Sequence, residues 1–177
     1  MVQSGKRCYF CIINQPKVHK MYNLIGEYRV KIDAKGRVKL PKDLLRQISG
    51  DDSFPLVVNR GYEEHLMLYP KDVWEKKTKE INQLKITRRN QRNAIRYFYR
   101  GATELNPDNI KRVLLPKSLL EYAGIKKDIV LFAYGEQIEM WDAVAYKKAL
   151  ENEPDNFDEI LEGLYEEEKA EKKINHE

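Results

Sequence analysis

Two segments of the sequence carry the same pattern, an aspartate followed four residues later by an arginine. Asp33 precedes Arg37 and Asp108 precedes Arg112, and a Pro-Lys pair follows four residues after each arginine. An aspartate that opens a tight turn accepts backbone N–H bonds and can also pair with an arginine four residues on. The pattern predicts two rigid turns that present cations, a chemistry suited to phosphate groups and guanine edges.

The candidate nucleic-acid contacts are the basic side chains of these turns and of the strands beside them. They are Arg29, Lys35, Arg37 and Lys39 around the first turn and Lys111 and Arg112 in the second. Asp33, Gly36 and Asp108 are predicted to shape the turns. The alternative is that both Asp–Arg pairs are purely structural, in which case the neighbouring lysines would still be exposed and basic.

The charge of the chain is strongly asymmetric along its length. The formal net charge is +4, but residues 21–100 carry 18 basic and 10 acidic side chains, whereas residues 151–177 carry 3 basic and 11 acidic ones. A basic body with an acidic tail favours a polyanionic partner. The alternative is that both are solvated faces.

Few residues could support catalysis or metal binding. Cys8 and Cys11 have C-x-x-C spacing and His19 lies nearby, but zinc needs a fourth ligand. His65 is interpreted as a surface or strand residue. We therefore expect no enzyme activity, no metal, no cofactor and no small-molecule substrate. The absence of any run of about 20 apolar residues predicts a cytoplasmic protein without a membrane span.

An internal repeat organises the body of the chain. Residues 33–45 and 108–120 match at eight positions with an offset of 75, and the similarity continues downstream. Each copy predicts a strand, a turn, a returning strand, a short helix that begins after proline, a strand pair and a second helix. One copy is too small to bury a good core, so the two are expected to share one.

The predicted organisation has five parts. They are an extension at 1–20, expected to be disordered; a first DNA-binding repeat at 21–80; a basic helical connector at 81–97; a second repeat at 98–151; and an acidic tail at 152–177. Residues 85–100 hold six basic and no acidic side chains, either as a phosphate-contacting surface or as a solvated amphipathic connector. The tail has one apolar patch that could dock on the body or on a neighbouring subunit, formed by Phe157, Ile160, Leu161 and Leu164.

The first motif, its repetition one unit later and the Gly26-Glu-Tyr segment before it resemble the MraZ family of bacterial transcriptional regulators. The resemblance covers about residues 21–150. It implies an α+β, mainly β fold, with two tandem AbrB/SpoVT-like swapped-hairpin repeats forming one pseudo-twofold, β-barrel-like body with short helices. It also implies a nucleoid-associated repressor of the division and cell-wall gene cluster, including its own promoter, which binds G-rich direct repeats as a ring-like homo-oligomer.

The second turn departs from the family pattern, because Lys111 stands where glycine usually precedes the arginine. That turn is expected to be less tight. Self-association is also expected on physical grounds, because short sheets expose strand edges. An oligomeric protein-interaction module and an RNA-binding protein, with some of the eleven tyrosines as stacking platforms, are the alternative functions.

Overall fold

The computed structural model describes residues 21–48, 55–151 and 156–174. The predicted disordered extension and the Cys8–Cys11 pair with His19 lie outside the described residues. Within the described part, no helix is long and apolar enough to cross a membrane.

Each repeat contains four strands and follows the predicted order. The first has β1 (Leu24–Lys31), β2 (Arg37–Lys39), α1 (Lys42–Ile48), β3 (Leu56–Arg60), β4 (Leu66–Pro70), α2 (Lys71–Gln83) and α3 (Arg89–Phe98). The second has β5 (Thr103–Leu105), β6 (Arg112–Leu114), α4 (Lys117–Tyr122), β7 (Asp128–Gly135), β8 (Gln137–Asp142) and α5 (Ala143–Ala149), and it is followed by α6 (Phe157–Ile174).

The strands of the two repeats are interleaved in the sheets. The six-stranded sheet has the order β1-β7-β8-β4-β3-β5, and β2 pairs with β6 in a separate two-stranded ribbon. Strands β1 to β4 of the first repeat correspond in order to β5 to β8 of the second. Exchanging each strand with its counterpart gives the same strand order read backwards, as a pseudo-twofold axis requires. Val38 faces Val113 in the ribbon and Met67 faces Glu139 in the sheet, so corresponding positions meet near the axis.

The α+β, mainly β class and the swapped arrangement of the repeats agree with the sequence prediction. The six-stranded sheet is not closed, however, so the description as a β-barrel-like body does not hold. The reason is that β2 and β6 pair with each other, which leaves β1 and β5 as the two edges of an open sheet. The first strand begins at Leu24, and β1 pairs with β7 along its whole length.

The two repeats share one hydrophobic core, as expected from the size of a single copy. Side chains from both repeats lie in the same cluster, and most are almost completely removed from solvent. Its central members include Leu24, Val38, Leu44, Leu68, Val113, Leu119, Leu131 and Met140. Neither repeat can therefore keep its apolar face buried without the other.

Candidate nucleic-acid interface

Asp33 holds the first turn through both oxygens of its carboxylate. Its Oδ1 accepts the backbone N–H groups of Lys35 and Arg37, each at 2.9 Å. Its Oδ2 lies 2.7 Å from both Nε and Nη2 of Arg37. The backbone closes the turn as well, because Gly36 N–H donates to the Asp33 carbonyl at 3.0 Å. The predicted Asp–Arg pairing is therefore present.

Asp108 builds the second turn in the same way. Its Oδ1 accepts from the backbone N–H of Ile110 at 3.1 Å and of Arg112 at 2.9 Å. Its Oδ2 lies 2.8 Å from Nε and Nη2 of Arg112. The backbone N–H of Lys111 donates to the Asp108 carbonyl at 2.8 Å. The expectation of a less tight second turn is wrong, because its closing bonds are as short as those of the first.

The two turns differ in the residue that takes the left-handed backbone conformation. Gly36 has φ of 81° and Lys111 has φ of 64°, and Lys111 is the sole non-glycine residue with positive φ in the described part of the chain. Glycine adopts this conformation without a Cβ penalty, whereas a lysine there is strained by about 1 kcal/mol. The second turn keeps its shape in spite of this strain because the Asp108 bonds over-determine it.

Backbone bonds connect each turn to the opposite repeat. Leu40 N–H donates to the Lys111 carbonyl at 3.1 Å, and Leu115 N–H donates to the Gly36 carbonyl at 2.9 Å. The turns also approach each other through side chains, since Arg112 Nη1 lies 4.0 Å from Asp33 Oδ2. The two turns and the β2–β6 ribbon thus form one surface, which we call the cationic ribbon (residues 33–39 and 108–114).

Both turn carboxylates are held in their ionised form. The pKa of Asp33 lies below the usual aspartate value, chiefly because the Arg37 N–H donates to its carboxylate. The pKa of Asp108 is lowered by the backbone N–H of Arg112 and then by the Arg112 side chain. Any stability that these carboxylates contribute is present above the ordinary aspartate pKa and is lost as pH falls through the lowered folded value. The turns should therefore hold their shape at neutral and mildly acidic pH.

Five of the six candidate basic residues lie on the cationic ribbon. Lys35 and Lys39 are exposed, whereas Arg37, Lys111 and Arg112 are half-buried. The ribbon register places Lys39 opposite Arg112, and the side chain of the neighbouring Val38 is turned into the core.

Arg29 does not join this group. Exposed and inward positions alternate along β1, and Arg29 shares its face with Glu27. Glu27 accepts a hydrogen bond from the Tyr146 hydroxyl of α5 at 3.1 Å. Arg29 therefore lies on the α5 side of the sheet, away from β2 and β6, and its contact with nucleic acid remains a prediction.

Sequence reasoning missed two apolar side chains on the same surface. Ile110 lies in the second turn and is 55% exposed, and Leu114 lies opposite Arg37 in the ribbon and is 60% exposed. The alternation along β6, where Val113 points inward, could have placed Leu114 outward. Apolar side chains can contact thymine methyl groups in the major groove.

The interpretation of His65 as a surface or strand residue is wrong. The residue precedes β4, and its side chain is 5% exposed and stacks on Trp141 with ring centroids 4.3 Å apart. The ring occupies this position because Gly61 has no side chain, and a Cβ there would overlap it. Burial lowers the pKa of His65 below its usual value, so the imidazole is neutral at physiological pH. No group of three or more His, Cys, Asp or Glu side chains in the described residues could hold a metal ion.

The basic connector contains α3, whose 10 residues make most of 85–100 helical, as expected of a basic helical connector. Its N-terminus is capped by Gln91, whose Oε1 accepts the backbone N–H of Arg88 at 2.9 Å. Phe98 stacks on Trp74 of α2 with centroids 5.6 Å apart, which fixes the C-terminal end of the helix. Within the described residues, none of the five arginines between 88 and 100 forms a salt bridge.

Comparison with known proteins matches residues 24–96 and 98–166 to the family described as "MraZ protein, putative antitoxin-like". The protein named Transcriptional regulator MraZ from Syntrophomonas wolfei is 34% identical over 140 residues, which cover 79% of this chain and 95% of that protein. The protein of the same name from Christiangramia forsetii is 36% identical over 143 residues, covering 80% and 92%. That from Halothermothrix orenii is 33% identical over 140 residues, covering 79% and 95%.

Proposed function

The chain belongs to the MraZ family, and we propose that it is a DNA-binding transcriptional regulator whose cationic ribbon contacts the double helix. The observation that carries the proposal is the pair of turns held side by side by Asp33 and Asp108. Nothing in their chemistry resembles a catalytic constellation, whereas rigid cationic turns suit phosphate and base edges.

The charge balance of the ribbon supports a polyanionic partner. Five basic side chains stand beside two carboxylates, and each carboxylate is already occupied by the arginine of its own turn. Lys35 and Lys39 have exposed side chains on this surface. In the proposed complex the lysines bind phosphates, and the arginines fix the turns, with Nη1 of Arg37 offered to the DNA.

The finer proposal follows the family resemblance. The protein represses the gene cluster for division and cell-wall synthesis, including its own promoter, by binding G-rich direct repeats. It acts in the cytoplasm at the nucleoid, as a homo-oligomer. Oligomerisation multiplies the turns on one DNA segment, so that contacts that are weak singly become strong by avidity.

The test is a gel-shift titration of the full chain on a fragment of its own promoter at several salt concentrations. Lys35→Ala with Lys39→Ala is expected to weaken binding by at least tenfold and to reduce the slope of log K against log salt by about 2, because each lysine is expected to neutralise one phosphate. Lys147→Ala with Lys148→Ala is the matched control, since both lysines are exposed on α5. Equal affinity of the ribbon variant and the control would refute the assignment of the ribbon.

Competition separates this proposal from RNA binding. Two of the tyrosines that could stack on unpaired bases are engaged in packing, since Tyr146 is 9% exposed and the rings of Tyr69 and Trp74 lie 5.6 Å apart. Duplex promoter DNA should therefore displace single-stranded RNA of the same sequence from the protein. The reverse order of affinity would favour the RNA alternative.

A further inference from the structure

A groove lies between the β3–β4 turn, α2 and α3, and we call it the α2–α3 groove. Its volume is about 450 Å³. The walls are mostly apolar and aromatic, and they include Met67, Tyr69, Trp74, Ile81 and Phe98. At the rim, Tyr62 is fully exposed and Tyr97 is 77% exposed. Large exposed aromatic side chains around an apolar groove are typical of a protein-binding surface.

The charged side chains that line the described groove are all basic. Arg60, Lys77 and Arg100 contribute to the lining, and no acidic side chain is among the described residues that line it. Arg60 stacks over the Tyr122 ring at 4.3 Å, and Lys77 lies 5.3 Å from the centre of the Tyr69 ring. An occupant with an apolar face and acidic flanks would match both features.

Helix α6 has that chemistry. Five large apolar side chains lie on one face at spacings of three and four residues, and all are exposed: Phe157, Ile160, Leu161, Leu164 and Tyr165. The remainder of the described helix surface is acidic, with Asp158, Glu159, Glu162, Glu166 and Glu167. An amphipathic helix with anchors at i, i+3, i+4 and i+7 is the usual ligand of a hydrophobic groove.

Helix α6 differs in its packing from α3, its counterpart under the pseudo-twofold relation. Helix α3 follows α2 as α6 follows α5, and each family match ends within one of these helices. Helix α3 packs on its own repeat, where Phe98 stacks on Trp74 and its carbonyl accepts from Asn59 Nδ2 at 2.8 Å. The apolar face of α6 stays exposed in the single chain.

We propose that α6 of one chain binds in the α2–α3 groove of a second copy of the same chain. The groove belongs to the first repeat and the helix follows the second, so each chain offers one of each. Such a contact is head-to-tail, and its repetition gives a closed ring or an open filament. The inference deepens the proposed homo-oligomer by naming the joint, and it does not depend on DNA binding.

Two full-chain variants test this joint. Leu161→Asp with Leu164→Asp places charges on the apolar face of α6, and Ala94→Glu places an acid in the groove. All three positions are exposed, so folding is expected to survive, and a cooperative melt like that of the wild type checks it. Glu166→Gln on α6 and Asn93→Glu on α3 are the matched controls, since neither residue lies on the apolar stripe or lines the groove.

Sedimentation velocity at micromolar concentration gives the readout. The wild type and both controls should associate. Self-association of each test variant should be weakened at least tenfold, so that each variant alone sediments as a monomer at this concentration. An equimolar mixture of the two test variants should form dimers, because one helix and one groove remain intact and make a single joint.

Three outcomes would overturn the proposal: both test variants keep the wild-type size, their mixture stays monomeric although the wild type associates, or the wild type is itself a monomer. Gel shifts on the same samples separate the two proposals. A wild type that associates and gives the expected mixing result but does not bind the promoter fragment would refute only the assignment of the ribbon to DNA.

Discussion

At the scale of single residues, the arginines and lysines of the cationic ribbon have different surroundings. Arg37 and Arg112 each direct Nε and Nη2 to the aspartate of their own turn. Replacing either arginine would therefore disturb the turn as well as any contact with DNA. The exposed Lys35 and Lys39 allow a cleaner test of binding, because their removal leaves both Asp–Arg pairs in place.

Lys111→Gly is expected to stabilise the protein by about 0.5–1 kcal/mol. The substitution relieves the left-handed strain at φ of 64°, and the larger entropy of glycine in the unfolded chain offsets part of the gain. The measurement is the midpoint of denaturant unfolding, which should rise relative to the wild type while the m-value stays unchanged. Gly36→Ala is the mirror control and should destabilise the protein, since φ there is 81°. A lower stability of Lys111→Gly would show that the lysine side chain contributes more than its backbone strain costs.

His65 should make the stability of the protein depend on pH. Its folded pKa is lowered by burial, while the charges of Glu139 and Glu63 act in the opposite direction. Because the unfolded chain then binds the proton more readily, stability should fall as pH drops below about 6.5, the ordinary histidine value. His65→Phe keeps an aromatic ring next to Trp141 and should flatten the curve between about pH 7 and about pH 5.5. Identical slopes for both proteins would exclude His65 as the source.

At the scale of secondary-structure elements, the β2–β6 ribbon depends on one valine from each repeat. Val38 and Val113 face each other across the ribbon, and both are completely buried. Each strand has three residues, so the burial of its valine side chain does much to hold the strand in position. The cationic residues on the outer face are therefore held in place by two small apolar side chains on the inner face.

Val38→Ala and Val113→Ala are each expected to cost about 2 kcal/mol of unfolding free energy, from lost transfer energy and the cavity that remains. Because the two residues are directly paired, the double variant should depart from the sum by at least about 0.5 kcal/mol. The measurement is urea unfolding of the wild type, the two single variants and the double variant, which together form a double-mutant cycle. Strict additivity would indicate that the two strands are anchored independently of each other.

At the scale of the whole molecule, the exchange of strands makes the two repeats one folding unit. β1 pairs with β7, β3 with β5, and β4 with β8, so each of these pairings joins distant parts of the sequence. The core is likewise built from both repeats. Such long-range pairing is expected to give a single cooperative transition and slow folding.

A fragment that ends at Gly101 should not fold as a monomer. It would lack β5, β6, β7 and β8, and it would expose the strand edges and the core that these strands cover. It is expected either to be unfolded or to pair with a second copy through the pseudo-equivalent strands. Circular dichroism with sedimentation distinguishes these states. A monomeric fragment with a cooperative melt would contradict the shared core.

The sequence alone was sufficient to predict the repeat, the order of strands and helices, and the Asp33–Arg37 and Asp108–Arg112 pairs. These features depend on local periodicity, on turn chemistry and on a duplication that is visible at a fixed offset. Only the tertiary structure decided that the sheet is open, that Arg29 faces away from the ribbon, that His65 is buried under Trp141, and that the apolar face of α6 is left exposed. Each of these depends on which strand or helix lies beside a residue. Neighbours in space are chosen by the packing of distant segments, which local patterns do not encode.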